Sequence, residues 1–269
     1  MPSDEHTLPR ALTIAGSDPG GGAGIQADLK TFTALGVYGM TAITAVTVQN
    51  TKGVAGYEEV SPDVVADQIR AVVTDIGVDA AKTGMLASAP IVEAVADAAA
   101  ETGVPNLVVD PVFVSKHGHP LLAEDAVDAL RSRILPLATL VTPNLPEAGA
   151  LAGFRVESGE DMQRAAEAIL AFGPSAVLVK GGHLPGERSD DLYVDGDQLV
   201  WVQAERIDTQ NTHGTGCVLS AAIAARLARG DDLITAVRVG KRFVTDAVRH
   251  ALSIGQGIGP VDPLWATRP

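Results

Sequence analysis

The one cysteine of the chain, Cys217, closes the run Asn211-Thr212-His213-Gly214-Thr215-Gly216 and stands directly before the small, apolar stretch Val218–Leu227. That stretch reads as a helix. A glycine turn feeding a helix N-terminus can aim backbone N–H groups into one space, where the helix dipole adds partial positive charge. Gly214, Thr215 and Gly216 therefore make a candidate anion cradle, with Cys217 at its lip. A helix N-terminus lowers a thiol pKa and makes thiolate available as base or nucleophile. The bland alternative is an inert, buried cysteine.

A second glycine-rich turn runs from Gly16 to Asp28, again between an apolar run and a helical pattern. Gly22-x-Gly24-x-x-Ala27 matches the loose dinucleotide fingerprint, but that fingerprint also wants an acidic residue at the end of the next strand. Gln49-Asn50-Thr51 stands there instead, and no Gly-x-x-x-x-Gly-Lys-[Ser/Thr] loop is present. Asp18 and Asp28 flank the turn; two carboxylates repel phosphate and suit an amino-bearing or hydroxylated substrate. Further along, Asp110 closes Leu107-Val108-Val109, and Thr142-Pro143-Asn144-Leu145-Pro146-Glu147 closes Leu140-Val141. Hard oxygen ligands at such tips suit Mg²⁺, which takes one or two carboxylates plus phosphate oxygens and water. Asn144 and Glu147, three apart at a helix start, can face one side, although Glu147 alone is also an ordinary first-turn carboxylate. Lys180 ends an apolar run before Gly181-Gly182-His183. A cation there can meet a phosphate, or simply snorkel from a sheet end.

Positioning these residues requires a scaffold, and short β-branched runs alternating with longer helical patterns supply one: βαβ units around a mostly parallel sheet, an α/β fold. Strands are expected near Leu12–Gly16, Thr41–Gln49, Ala80–Gly84, Leu107–Asp110, Leu140–Thr142, Ala176–Lys180, Asp191–Val194 and Leu199–Ala204. Helices are expected near Gly24–Leu35, Pro62–Ile76, Pro90–Glu101, Glu124–Ile134, Glu160–Phe172, Gly216–Ala228 and Leu233–Leu252. Thr-rich alternation with two glycines over Gly39–Val60 suggests a strand pair projecting from the sheet edge as a small lid. No repeat or Pro/Ser/Gly linker divides the chain, so residues 11–269 read as one domain behind a flexible N-terminus of residues 1–10. In open parallel sheets ligands gather beyond the carboxyl ends of the strands, where several runs here end in polar residues.

Composition narrows the partners. A net charge of −13 disfavours nucleic-acid backbones and anionic membranes, which would repel the chain. One cysteine cannot form an internal disulfide, which suits a reducing compartment. Met1–Arg10 lacks the basic and then apolar run of an export signal, and no stretch reaches the roughly 18 apolar residues of a membrane span. A cytoplasmic protein with small-molecule ligands is expected.

Ala11–Phe32, Gln49-Asn50-Thr51, Lys82-Thr83-Gly84-Met85-Leu86, Asp110-Pro111-Val112, Thr142–Ala148, Val179–His183, Asn211–Cys217 and Gly257-Ile258-Gly259-Pro260-Val261 together resemble the ribokinase-like superfamily. Within it they are most similar to the hydroxymethylpyrimidine/phosphomethylpyrimidine kinases, whose Asn-Thr-His-Gly-Thr-Gly-Cys signature is intact. The resemblance implies a three-layer α/β/α sandwich with a small edge lid. It implies phosphoryl transfer from ATP, with Mg²⁺, to 4-amino-5-hydroxymethyl-2-methylpyrimidine and then to its monophosphate, in thiamine biosynthesis. Cys217 would assist deprotonation of the attacking oxygen while Gly214, Thr215 and Gly216 stabilise the moving phosphoryl group. Gln49 would bind the aminopyrimidine edge, with Asp28, Met85, Gly16 and Asp18 on the substrate side. Asp110, Glu147 and Asn144 would hold Mg²⁺; Lys180, Lys241 and Thr212 would line the nucleotide side. A homodimer is implied; relatives also carry an additional thiamine-synthesis domain, and this chain ends too early for one, so a stand-alone kinase is expected. Two stretches depart from the family wording, Asp262-Pro263, where relatives often carry histidine, and Lys116-His117-Gly118-His119; both bear on contacts to the second phosphate. The competing readings are a pyridoxine/pyridoxal kinase of the same subgroup, a non-catalytic pyrimidine sensor, and, last, a nicotinamide oxidoreductase.

Overall fold

The computed structural model describes residues 8–113, 126–184 and 186–268. Its centre is an eight-stranded sheet in the order β10-β9-β8-β7-β6-β5-β1-β2. The strands are β1 (Arg10–Ala15), β2 (Tyr38–Ile43), β5 (Ala80–Thr83), β6 (Leu107–Val109), β7 (Leu140–Val141), β8 (Ala176–Val179), β9 (Asp191–Asp195) and β10 (Leu199–Val202). All neighbours from β2 to β8 pair in parallel, whereas β9 and β10 pair antiparallel at one edge. A separate hairpin of β3 (Ala45–Asn50) and β4 (Gly53–Glu59) forms the small lid.

Because side chains alternate across a strand, each central strand feeds two cores. Leu12, Ile14, Ala81, Val109, Val141 and Val177 meet one helical layer, built by α2 (Pro62–Asp75), α3 (Ala89–Thr102), α4 (Ala126–Ala129), α5 (Leu145–Ala152) and α6 (Gly159–Leu170). Ala11, Ala80, Val108, Leu140 and Leu178 meet the other, built by α1 (Gly24–Ala34), α7 (Thr215–Ala228) and α8 (Leu233–Arg249). The α/β/α sandwich expected from the sequence is thus present as one domain.

Four boundaries differ from expectation. The run Thr41–Gln49 is two strands, because the chain leaves the main sheet at buried Thr44, whose amide bonds Ala15 O while its hydroxyl bonds Met85 O at 2.6 Å. β1 begins at Arg10, which donates to the Asp79 carboxylate from its backbone and its guanidinium, so the ordered domain includes it. The helix expected over Glu124–Ile134 is α4 followed by a wider turn over Leu130–Ile134; Pro136, lacking an amide hydrogen, cannot extend an α-helical ladder. α5 was absent from the expected helices, although Asn144 and Glu147 begin it with a capping box. Lys116–His119 lie outside the described residues.

Candidate active site

At the carboxyl edge of the sheet, β1 ends at Ala15, and from Gly16 the glycine loop turns back into α1. Asp18, 1% exposed, holds that loop from inside: its carboxylate accepts from the amides of Gly20 (2.8 Å), Gly22 (3.1 Å) and Ala23 (2.9 Å). This corrects the reading of Asp18 as a substrate ligand, since its oxygens and these amides satisfy one another. Asp18 also takes His213 Nε2 at 2.8 Å, and these bonds outweigh burial to hold its pKa below the ordinary carboxylate range.

The loop locks onto the second glycine turn. Gly214 is the N-cap residue of α7 with φ +83°, and a Cβ there would stand 1.8 Å from Gly22 O. Gly214→Ala is therefore expected to abolish turnover: the left-handed conformation alone costs about 1–2 kcal/mol, and the clash forces the two loops apart. Steady-state assay with thermal unfolding checks this, and a wild-type-like variant on both would show that the loops separate freely. α7 has no side-chain cap, and its helical bonds begin with Val218 N–H on Gly214 O. Among the described residues the amides of Gly216 and Cys217 have no hydrogen-bond partner, so the helix end is open to an anion.

Facing that end is a mixed-charge cluster. Lys180 Nζ lies 2.8 Å from Asp110 Oδ1 and 3.7 Å from Glu147 Oε2, and a Cβ on Gly216 would be 3.5 Å from Lys180 Nζ and 3.6 Å from Asp110 Oδ2. Ser220 on α7 and Thr142 after β7 add hydroxyls at 3.3 Å from the two Asp110 oxygens. Burial raises the Asp110 pKa, but the Lys180 and Lys82 ammoniums outweigh it and hold the group low. Glu147 is pushed up to about 7 by burial and by the Asp110 charge, with Lys180 opposing. Asn144 Oδ1 accepts from Glu147 N at 2.9 Å and Glu147 Oε2 accepts from Asn144 N at 2.7 Å. The Asn144 oxygen is thus engaged as a helix cap with one lone pair left. Among the described residues no three His, Cys, Asp or Glu side chains cluster as a metal site. Two carboxylates of which one is strained by the other fit a divalent cation whose remaining ligands are phosphate oxygens and water.

Three further expectations are corrected. Asp28 is fully buried and ion-paired to fully buried Lys82 at 2.9 Å, with Thr13 Oγ1 at 2.7 Å, so the structure shows it as a core carboxylate. Lys241 is paired at 2.7 Å with Asp191 of β9, whose other oxygen takes Gly181 N at 3.0 Å; its ammonium braces the corner after Lys180. Cys217 does sit at the helix end, with the Gly24 amide directed at its sulfur, yet burial pushes its thiol up to about 11 against the opposing pull of the Lys82 ammonium. The expected lowered pKa is not found, because desolvation of a thiolate outweighs a helix terminus.

On the opposite side of the glycine loop, a Cβ on Gly16 would lie 3.2 Å from Met85 Sδ, and Met85 is buried beneath it. Gln49, on β3 of the lid after a bulge, reaches His213 with its amide at 3.4 Å. The structure thus brings Gly16 and Met85 together and sets Gln49 against His213, and Thr212 precedes the cradle with its carbonyl accepting from Thr215 Oγ1 at 2.7 Å. His213 and Lys82 carried no role in the sequence reading. Lys82, a lone charge inside the apolar strand Ala80–Thr83, was the available signal.

Amides open to oxyanions and a cluster of both charge signs opposite them suit transfer of a charged group between oxygens. On this three-layer sheet the protein is a ribokinase-like kinase. The family model for phosphomethylpyrimidine kinase matches residues 18–262, and the chain belongs to that family. It is 54% identical over 265 residues to the hydroxymethylpyrimidine/phosphomethylpyrimidine kinase of Streptomyces coelicolor, covering 98% of each chain. Among solved structures, the ADP complex of Bacillus subtilis pyridoxal kinase superposes with a TM-score of 0.91 at 40% identity, covering 98% of this chain and 100% of that one. The phosphomethylpyrimidine kinase of Clostridium difficile gives 0.79 at 43% identity, covering 89% and 99%. No helix among the described residues is long and apolar enough to cross a membrane.

Proposed function

We propose that the chain moves the terminal phosphoryl group of ATP to the hydroxymethyl oxygen of 4-amino-5-hydroxymethyl-2-methylpyrimidine, and then phosphorylates the monophosphate to the diphosphate used in thiamine biosynthesis. The observation that carries this reading is the uncapped end of α7, fixed against the substrate-side loop at Gly214 and Gly22. In each step an oxygen–phosphorus bond forms as the bond to the ADP oxygen breaks. In the first, the alcohol proton passes toward Cys217 Sγ. The amides of Gly216 and Cys217 receive the equatorial phosphoryl oxygens, and Lys180 lies opposite. Most of the acceleration comes from such positioning and charge stabilisation, because a loose transition state leaves little covalent work. Asp110 and Glu147 would hold Mg²⁺, directly or through water, and the ion would neutralise phosphate charge.

Gln49 answers the heterocycle's donors and acceptors, and an amide covered by the ligand discriminates because a wrong ligand leaves it unpaired. Gln49→Ala is expected to weaken pyrimidine binding by roughly tenfold or more, the scale of a lost buried hydrogen bond. Calorimetric titration measures this, and an unchanged Kd would remove Gln49 from the site.

A second reading, pyridoxal kinase, is favoured by the likeness to the Bacillus subtilis enzyme; the higher identity to the pyrimidine kinases weighs against it. Side-by-side kcat/KM for the two alcohols decides between them, and absence of ATP consumption with either would leave a non-catalytic sensor. The proposed quaternary state is a homodimer, for which light scattering on the purified chain is the test.

A further inference from the structure

His213 joins three groups that the proposed reaction keeps apart: the clamp on the glycine loop, the turn of the anion cradle and the pyrimidine-reading amide. Its backbone belongs to the cradle turn, with its amide on Gly259 O and its carbonyl accepting from Val261 N, both at 3.0 Å. Its ring packs over Gly22, where a Cβ would meet the imidazole Cδ2 at 2.5 Å. Its Nε2 is 2.8 Å from Asp18 Oδ2 and 3.4 Å from Gln49 Nε2.

Proton counting fixes this network. The Asp18 carboxylate takes three backbone N–H groups and can only accept when ionised. His213 Nε2 must therefore carry hydrogen and donate to it. A protonated Nε2 has no lone pair for a second N–H, so the NH₂ of Gln49 cannot be what faces it. At the other end of that amide, Oε1 lies 3.3 Å from Thr47 Oγ1, whose single hydrogen already goes to Ser17 O at 2.8 Å. Two oxygens would then face each other without a proton between them. Turning the amide by half a rotation satisfies both contacts: Oε1 accepts a share of the His213 hydrogen, and Nε2 donates to Thr47 Oγ1.

We infer that His213 is a specificity-determining positioning residue: bound to Asp18, it holds the Gln49 amide with its oxygen toward the imidazole and its nitrogen toward Thr47. One oxygen lone pair and one N–H of the amide remain for a ligand, in a fixed order. The site then reads a heterocycle edge that presents an acceptor beside a donor, such as a ring nitrogen next to an exocyclic amino group, one way round only. The inference rests on the proposed pyrimidine reading, and it deepens that reading by naming what gives the amide its direction.

The test compares 4-amino-5-hydroxymethyl-2-methylpyrimidine with its analogue lacking the amino group, by calorimetric Kd and by kcat and KM, in the wild type, His213→Phe and His213→Gln. The Phe variant keeps a ring over Gly22 without a donor; the Gln variant restores an N–H at similar reach. Expected is a preference for the amino compound that falls by roughly tenfold or more in His213→Phe, mostly in KM, and is regained in His213→Gln. A preference that survives in His213→Phe, or equal losses for both compounds, overturns the inference while leaving the pyrimidine reading intact. A wild-type protein that binds neither compound sinks that reading and the inference with it. Should the Phe variant fail to fold, long-range ¹⁵N–¹H correlation on the wild type reads the ring directly: hydrogen on Nε2 supports the assignment, and a ring protonated on Nδ1 alone overturns it.

Discussion

Replacing Cys217 with alanine is expected to lower kcat by roughly 10²-fold or more, with KM for the pyrimidine little changed, the pattern of a lost proton acceptor. The structure sharpens the pH dependence of this effect. Burial puts the free thiol at about 11, so the thiolate is a small fraction near neutrality. Below that value its fraction rises tenfold for each unit of pH. If the thiolate takes the alcohol proton, log kcat climbs with a slope near one from pH 7 to 9 in the wild type and is flat in Cys217→Ala. A carboxylate in the same place, Cys217→Asp, is more acidic than the thiol and should keep activity with a weaker slope. Steady-state rates across the pH range at saturating substrates separate these profiles. Wild-type turnover in the alanine variant would remove Cys217 from the chemistry, and a flat wild-type profile would mean that another step limits the rate.

The error in the expected thiol pKa has the same origin as the other misread residues. Sequence spacing places Cys217 at the start of α7, and the α7 boundary agrees with that to one residue. Spacing cannot say how much protein surrounds the sulfur, and desolvation is what sets its acidity. Asp18 and Asp28 likewise flank the glycine loop in sequence, yet one turns inward to clamp that loop and the other points from α1 onto the sheet to pair with Lys82. The alternation along β5 is the physical reason: Ala80 and Lys82 face the α1 and α7 layer, whereas Ala81 faces the other. The Asp110, Glu147 and Lys180 cluster was easier to foresee, because each residue ends or follows a central parallel strand and such ends share one edge. The lid was half legible. Val46, Thr47 and Val48 alternate as a strand should, but the departure of the chain from the main sheet at Thr44 depends on its contacts with Ala15 and Met85, which lie far away in sequence.

The pair Asp28–Lys82 is where stability and chemistry meet. Both side chains have no solvent exposure, with Nζ 2.9 and 3.1 Å from the two carboxylate oxygens. Burial pulls the Lys82 pKa down, but Asp28, Cys217 and Asp110 together raise it, so the ammonium stays charged. Removing one partner leaves the other charge buried and uncompensated. Lys82→Met is therefore expected to cost about 3–5 kcal/mol, a large share of the roughly 5–15 kcal/mol that holds such a domain folded. The double variant Asp28→Asn/Lys82→Met removes both charges, keeps an acceptor for Thr13 Oγ1, and should regain most of that loss. Urea unfolding of the wild type, Asp28→Asn, Lys82→Met and the double variant measures the cycle; single variants as stable as wild type would mean the pair carries no net coupling. The refolded double variant then tests the chemistry separately. The double variant loses the Lys82 ammonium, the strongest pull against desolvation of the Cys217 thiolate, together with the weaker opposing charge of Asp28, so kcat near pH 8 should fall although the protein is folded. In a Cys217→Ala background the same double substitution should change kcat little further, because both act through one sulfur. Independent, additive losses would instead show that Lys82 serves the reaction by another route, through its charge on Asp110.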